Sequence, residues 1–199
     1  MTPAPLALLA FKYSAVSHLI GAMWDILVVY WVILAFGNKR TKVRQGRLSR
    51  LAYVILLFLP VYFVISAKSL HILLFPINAL TQSIGVLICA AGLAFAIWSR
   101  HTLGRNWSGF VVIKQDHELI QSGPYEFVRN PLYSGLILGM AGTVLALFPT
   151  AEGLILLLVW IIAFYVKSRH EERVLVQEFG EQYAAYKQRV PAALIPFVL

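Results

Sequence analysis

"RNPLYSGLILGMAGTVLALFPTAEG", residues 129–153, decides the fold. A charge, an asparagine and a proline lead into an apolar run, which ends in a short turn ahead of a second apolar run. Asn130 followed by Pro131 is a helix-start signal. Asparagine offers a side-chain oxygen to the first free N–H groups, and proline at the first helical position loses no hydrogen bond and presets φ. "FPTAEG" at 148–153 is short enough to send the next run back antiparallel. The stretch therefore reads as the opening and corner of an apolar helical hairpin.

The rest of the chain fits a membrane setting. Its 199 residues are 59% hydrophobic and 13% charged, with mean hydropathy +0.74, outside the range of soluble globular domains. A span needs roughly 20 apolar residues to cross a ~30 Å core. On that measure the runs at 14–36, 51–67, 79–98, 132–148 and 153–166 predict about five transmembrane helices. The expected fold is an all-α integral membrane protein whose last two spans form a hairpin that continues into a cytoplasmic helix. It is expected to be one unit over 1–199, with a three-helix region at 1–98 and a polar loop, hairpin and tail at 99–199. The first span lacks a basic leader and a small-residue cleavage site ahead of it, so it reads as a retained helix.

Charge sets the orientation. "GNKRTKVRQGRLSR" at 37–50 packs Lys39, Arg40, Lys42, Arg44, Arg47 and Arg50 into one short loop, which favours the cytoplasmic side. The N-terminus is then expected outside, with the 99–131 segment and the C-terminal tail inside; only Lys12 and Lys68 fall on the other side. The net charge of +8 is explained by these flanks, and the basic residues lack the aromatic interleaving of a nucleic-acid surface. Cys89, the single cysteine, lies in an apolar run and offers neither a disulfide nor a Cys-based metal site.

The fifth run is short: residues 154–166 cover only ~20 Å at ~1.5 Å per residue. It is expected to continue as helix through "KSRHEERVLVQEFGEQYAAYKQRV", where Val174, Leu175, Phe179, Tyr183 and Tyr186 recur at roughly helical spacing. The two polar segments should then meet on one side of the membrane. The start of the fourth span, with its free N–H donors, its positive dipole end and Arg129, reads either as a place for an anion or as a capped helix with a snorkelling arginine. Lys167, Arg169, Glu171 and Glu172 read either as a solvated helix face or as part of the same site; Lys167 and Glu171 share a face. Gly135, Gly139 and Gly142 let another backbone approach the fourth span closely, or leave room for a slender ligand. Asp25, with His18 two turns earlier, reads as a buried structural pairing or as a polar path. No H-E-x-x-H, P-loop or G-x-G-x-x-G pattern supports zinc hydrolysis, nucleotide hydrolysis or a Rossmann cofactor, and no metal site is expected.

"LGRNWSG" at 103–109, "HELIQSGPYEFVRNPLYSG" at 117–135 and "EERVLVQEFGEQYAAYKQRVPAALIP" at 171–196 together resemble the isoprenylcysteine carboxyl methyltransferase family. These are integral membrane enzymes that use S-adenosyl-L-methionine and are related to membrane phospholipid methyltransferases. The likeness covers about the C-terminal half. It implies that His117, Glu118, Leu119 and Ile120 run along the cofactor, that Tyr125 lies against it, and that Asn130, Pro131, Leu132 and Tyr133 meet it at the helix start. Glu171 matches the family's cofactor-binding glutamate, suited to the methionine amino group. Lys167 falls where eukaryotic members carry a substrate-contacting arginine, and Asn130 where they carry histidine. A lysine lacks the bidentate fork of arginine, so the substrate is expected to differ from a prenylcysteine.

Methyl transfer from a sulfonium asks the protein mainly for alignment and a dry, charge-matched site. A carboxylate nucleophile needs a cation, which Lys167, Arg169 or Arg129 offers, whereas a thiol or amine would need a base. The leading expectation is therefore carboxyl O-methylation of a lipophilic, prenylcysteine-like or lipidated substrate at the cytoplasmic face. The alternatives are S- or N-methylation of a small thiol or lipid amine, and a non-catalytic transporter or assembly factor. Five spans without inverted repeats make a transporter the weaker of these.

Overall fold

The computed structural model describes residues 4–37, 41–43, 51, 55, 72–107, 113–114 and 118–194. Helix α1 spans Ala4–Ala35, α2 Ala79–Leu103, α3 Pro131–Leu147, α4 Ala151–Phe179 and α5 Glu181–Arg189. Single 3-10 turns occupy Gly104–Asn106 and Gly123–Glu126. Strands β1 (Thr41–Val43) and β2 (Ile113–Lys114) pair antiparallel. Among the described residues the fold is thus helical apart from this small ladder and an isolated Leu73–Thr150 bridge, which alternation in the sequence is too short to signal. The ladder has a topological consequence: it ties the loop after α1 to the segment after α2, so both lie at the same end of the bundle.

Among the described residues, three helices are long and apolar enough to cross a membrane: Ala15–Ala35, Ala79–Asn106 and Ala151–Phe179. Helix α3 is equally apolar, with 17 residues. Exposed Ile26, Val29, Ile33, Leu87, Leu158 and Ile162 give the bundle the apolar outer surface of an integral membrane protein. The expected 51–67 span lies outside the described residues except for Leu51 and Ile55, which are helical. Helix α1 starts ten residues earlier than the hydrophobic run suggested; Pro5 is accommodated in its first turn, where no N–H is needed.

The centre of the bundle is an α2–α3 seam of small residues. Gly85, Cys89, Gly92 and Ala96 on α2 repeat at spacings of four, three and four, and Gly135, Gly139, Gly142 and Ala146 on α3 repeat identically. The two rows run antiparallel: a methyl on Gly85 would meet the Cβ of Ala146 at 2.7 Å, and one on Gly135 would meet the Ala96 nitrogen at 2.6 Å. Backbones this close leave no room for side chains between them, and dispersion contacts hold the pair where no hydrophobic drive operates in lipid. The helix-packing reading of the α3 glycines thus holds, and α2 carries the matching row.

Helix α1 joins through Ile20 and Leu27, buried against Cys89, Leu93 and Leu136, and through Trp24, whose Nε1 donates to Thr143 Oγ1 at 3.0 Å. Its C-terminal carbonyls would otherwise face an apolar end without partners. Arg100 Nη2 donates to Leu34 O at 3.2 Å and Arg105 Nε to Gly37 O at 3.0 Å. Asp25 and His18 lie on the opposite side of α1 from Ile20 and Leu27 and are exposed. A buried pairing, one of the two readings for them, does not fit that exposure.

Helix α4 carries on well past the apolar run to Phe179, as expected, but it does not continue through residue 190. Gly180 adopts φ +51°, a left-handed conformation that favours glycine, and the chain turns there into the separate helix α5. The break folds α5 back so that Tyr183, Tyr186 and Val190 pack on Leu119, Leu175 and Phe179.

Candidate functional site

The site lies where the start of α3 meets residues 164–172 of α4. Phe164, Lys167 and Glu171 recur at three- and four-residue intervals and so share one face of α4. Tyr133, in the first turn of α3 and 6% exposed, lies along that face. Its ring stacks on Phe164 with centroids 5.1 Å apart and planes 18° apart. The Lys167 ammonium lies 5.3 Å from the ring centroid, in cation–π range. The Tyr133 hydroxyl donates to Glu171 Oε1 at 2.6 Å, the short length of a charge-assisted bond. An aromatic wall, a cation and a carboxylate are thereby gathered at one helix start.

Glu172, the next residue, points about 100° away around the helix and does something different. It is 4% exposed and gathers three cations. Arg129 Nε donates to Glu172 Oε1 at 2.8 Å, and Nη2 reaches the same oxygen at 2.8 Å. Arg169 Nη1 meets Oε2 at 3.1 Å and Lys187 Nζ meets it at 3.8 Å. Arg129 Nη1 also donates to Val190 O at 2.7 Å and Pro191 O at 2.6 Å. The backbone N–H groups of Arg129 and Asn130 donate to Ala192 O and Ala193 O, both at 3.0 Å. Ser134 Oγ donates to Leu194 O, and Leu194 is fully buried in the same core cluster as Leu132 and Tyr133. The 190–194 segment is therefore strapped beneath the start of α3.

These contacts revise two expectations. Asn130 does sit at the N-cap position, but its side chain makes no capping bond; Nδ2 donates to Ala193 O at 3.1 Å instead. The Nδ2 bond to the tail goes with an amide whose oxygen accepts from no helix N–H, and the cap is traded for a tertiary tie. Arg129, offered by the sequence as a cation for an anionic ligand, spends its guanidinium on Glu172 and two tail carbonyls, as a strut. Arg169 is likewise engaged with Glu172, though it remains largely exposed.

Tyr125 is buried in the 3-10 turn ahead of α3, and its carbonyl accepts from the Tyr186 hydroxyl at 2.7 Å. Burial pushes the phenol pKa values of Tyr125, Tyr183 and Tyr186 well above the ordinary tyrosine range, so all three remain hydroxyls. Leu119 packs under α5 and Ile120 is half-buried beside it, while Glu118 is exposed. Pro131 and Leu132 are buried at the helix start. His117 lies outside the described residues. Phe164, Lys187 and the 190–194 carbonyls were not legible as partners of the site. Only the doubled glutamate hinted at a second role, since neighbouring helical residues cannot face the same way.

Comparison with known proteins places the chain that carries this helix-start cluster in a family. A family model described as phospholipid methyltransferase matches residues 80–182. Protein-S-isoprenylcysteine O-methyltransferase B of Arabidopsis thaliana is 36% identical over 100 residues, which cover 49% of this chain and 50% of that protein. The Tribolium castaneum protein-S-isoprenylcysteine O-methyltransferase is 30% identical over 144 residues, 71% of this chain and 48% of its own length. The solved structure of the eukaryotic intramembrane Ras methyltransferase, isoprenylcysteine carboxyl methyltransferase, superposes with a TM-score of 0.56 at 26% identity, covering 76% of this chain and 52% of that one. The chain belongs to the phospholipid methyltransferase family, and it is similar to the isoprenylcysteine carboxyl methyltransferases named above. It spans about half the length of the curated relatives it matches.

Proposed function

We propose that this chain is a membrane methyltransferase that uses S-adenosyl-L-methionine to O-methylate a lipophilic, prenylcysteine-like acid at the cytoplasmic face. The observation that carries the reading is the meeting of Tyr133 and Glu171 at 2.6 Å beside Lys167. The donor set suits the cofactor: a carboxylate for its ammonium group and an aromatic wall for its sulfonium end. When bound, the cofactor supplies a methyl group already activated for displacement. Glu171, oriented by Tyr133, would hold the amino-acid end. Tyr125, with Glu118, Leu119 and Ile120 ahead of it, would line the remainder, and His117 is assigned to the same stretch by family likeness alone. Lys167 would hold the acceptor carboxylate in line and neutralise it, leaving its oxygen free to attack without a general base. Arg129 and Arg169 act on this reading through Glu172 and not on the substrate.

The proposed topology has about five crossings with α3 and α4 as a hairpin, the N-terminus outside and the tail inside. It rests on the basic loop at 37–50 and on the ladder that sets Thr41–Val43 of that loop beside Ile113–Lys114. The match to a phospholipid methyltransferase model favours a second acceptor class, a lipid amine. Membranes carrying the protein, incubated with methyl-labelled cofactor and candidate lipophilic acids, thiols and amines, separate these readings. Label released by base marks a methyl ester, label resistant to base marks an amine or thioether product, and no transfer to any acceptor removes the enzymatic reading.

A further inference from the structure

We infer that Glu172 is a positioning residue: through Arg129 it docks the 190–194 segment under the start of α3, and this strap holds Tyr133 and Glu171 in register. The inference rests on the proposed function for what the register serves, and on geometry for the strap itself. Glu172 and Arg129 are both buried, with side chains 5% and 3% exposed, and their bond crosses from α4 to the residue before α3. A buried arginine with one carboxylate and two carbonyls around it is fixed in place, and each carbonyl belongs to the tail. From there the tail runs alongside residues 129–134, accepting in turn from Arg129, Asn130 and Ser134, and its Leu194 lies in the core beside Tyr133. Within α3, Tyr133 ties the first turn to α4 through Phe164 and Glu171, while Asn130 gives no side-chain cap. The strap adds a second constraint at the residues just ahead of it. Arg169 and Lys187 add charge to the second Glu172 oxygen, so α5 is tied to the same carboxylate.

The two adjacent glutamates are therefore separable by experiment. Hydrogen–deuterium exchange and S-adenosylhomocysteine calorimetry on the full chain in detergent would be compared for wild type, Glu171→Gln and Glu172→Gln, with Arg129→Lys as the milder break of the same strut. The expected result for Glu172→Gln is at least tenfold faster exchange at the Arg129 and Asn130 amides and roughly tenfold weaker ligand binding, with helix content retained. Arg129→Lys should show the same two effects in smaller measure. Glu171→Gln should lose binding while exchange at 129–130 stays at the wild-type rate. Unchanged exchange in Glu172→Gln and Arg129→Lys overturns the strap, and faster exchange with undiminished binding overturns the positioning role. A wild-type protein that binds no S-adenosylhomocysteine sinks the proposed function together with the positioning role, whereas the exchange rates still decide the strap.

Discussion

Tyr133 donates a 2.6 Å hydrogen bond to Glu171 across 38 residues of sequence, joining the first turn of α3 to the far part of α4. Between them the chain passes through the rest of α3, the Phe148–Thr150 corner and 20 residues of α4 before it returns. The bond is thus a consequence of helix lengths, and it also orients the carboxylate on which the proposed cofactor site depends.

Tyr133→Phe keeps the ring on Phe164 and removes only the hydroxyl. A hydrogen bond to a charged acceptor contributes about 1.5–3 kcal/mol, so S-adenosylhomocysteine affinity should fall roughly tenfold or more by calorimetry. Melting temperature should fall modestly as well, because Glu171 loses a donor even though the stacked ring remains.

Lys167→Met should spare ligand binding and lower kcat/KM for an acidic acceptor by about tenfold or more, since a cation over the acceptor is lost while Glu171 and Tyr133 stay in place. Lys167→Arg should restore turnover, the guanidinium fork being suited to a carboxylate. Steady-state kinetics with a base-labile methyl readout checks both.

Gly92→Leu should abolish the folded bundle, and Gly92→Ala should destabilise it by about 1–3 kcal/mol or more. A methyl there would overlap the Gly139 amide nitrogen and come within 2.7 Å of Gly135 O, and backbone cannot step aside as a side chain can. Melting temperature in detergent and yield of monodisperse protein measure the effect. Gly21, with nothing near its added methyl, serves as the tolerant control.

Arg100→Met should lower stability by about 2–4 kcal/mol, because two backbone carbonyls, Leu34 O and Gly104 O, lose a charged donor at a buried position. The Trp107 ring also loses the cation lying 4.5 Å from its centroid. Exchange at the end of α1 should quicken first, since that is where the carbonyl is released.

Alkaline pH should loosen α5. Burial raises the folded pKa of Tyr183 and Tyr186 above the unfolded value of about 10. The stabilisation is therefore complete below pH ~10 and is lost as pH rises from there toward the folded pKa, where the unfolded state sheds protons first. The melting temperature should fall above pH ~10, less steeply in Tyr183→Phe/Tyr186→Phe.

Hydrophobic run length and the Asn130-Pro131 signal were enough to place α2, α3 and the start of α4, because a bilayer demands long apolar helices whatever their neighbours are. The three sequence blocks were enough to point to the family. Local chemistry could not foresee that Asn130 would leave its cap for Ala193 O, that Arg129 would be consumed by Glu172, or that Gly180 would split the last helix. Each of those outcomes depends on a partner 40 or more residues away, or on the room an adjacent element leaves, and competition for a donor is settled only when both acceptors are in place. The sequence by itself determined a membrane helix bundle with charge gathered at one end. The tertiary structure alone decided which of two neighbouring glutamates faces the aromatic wall and which anchors the tail, because a 100° step around α4 acquires meaning only once α3 and residues 190–194 are packed against it.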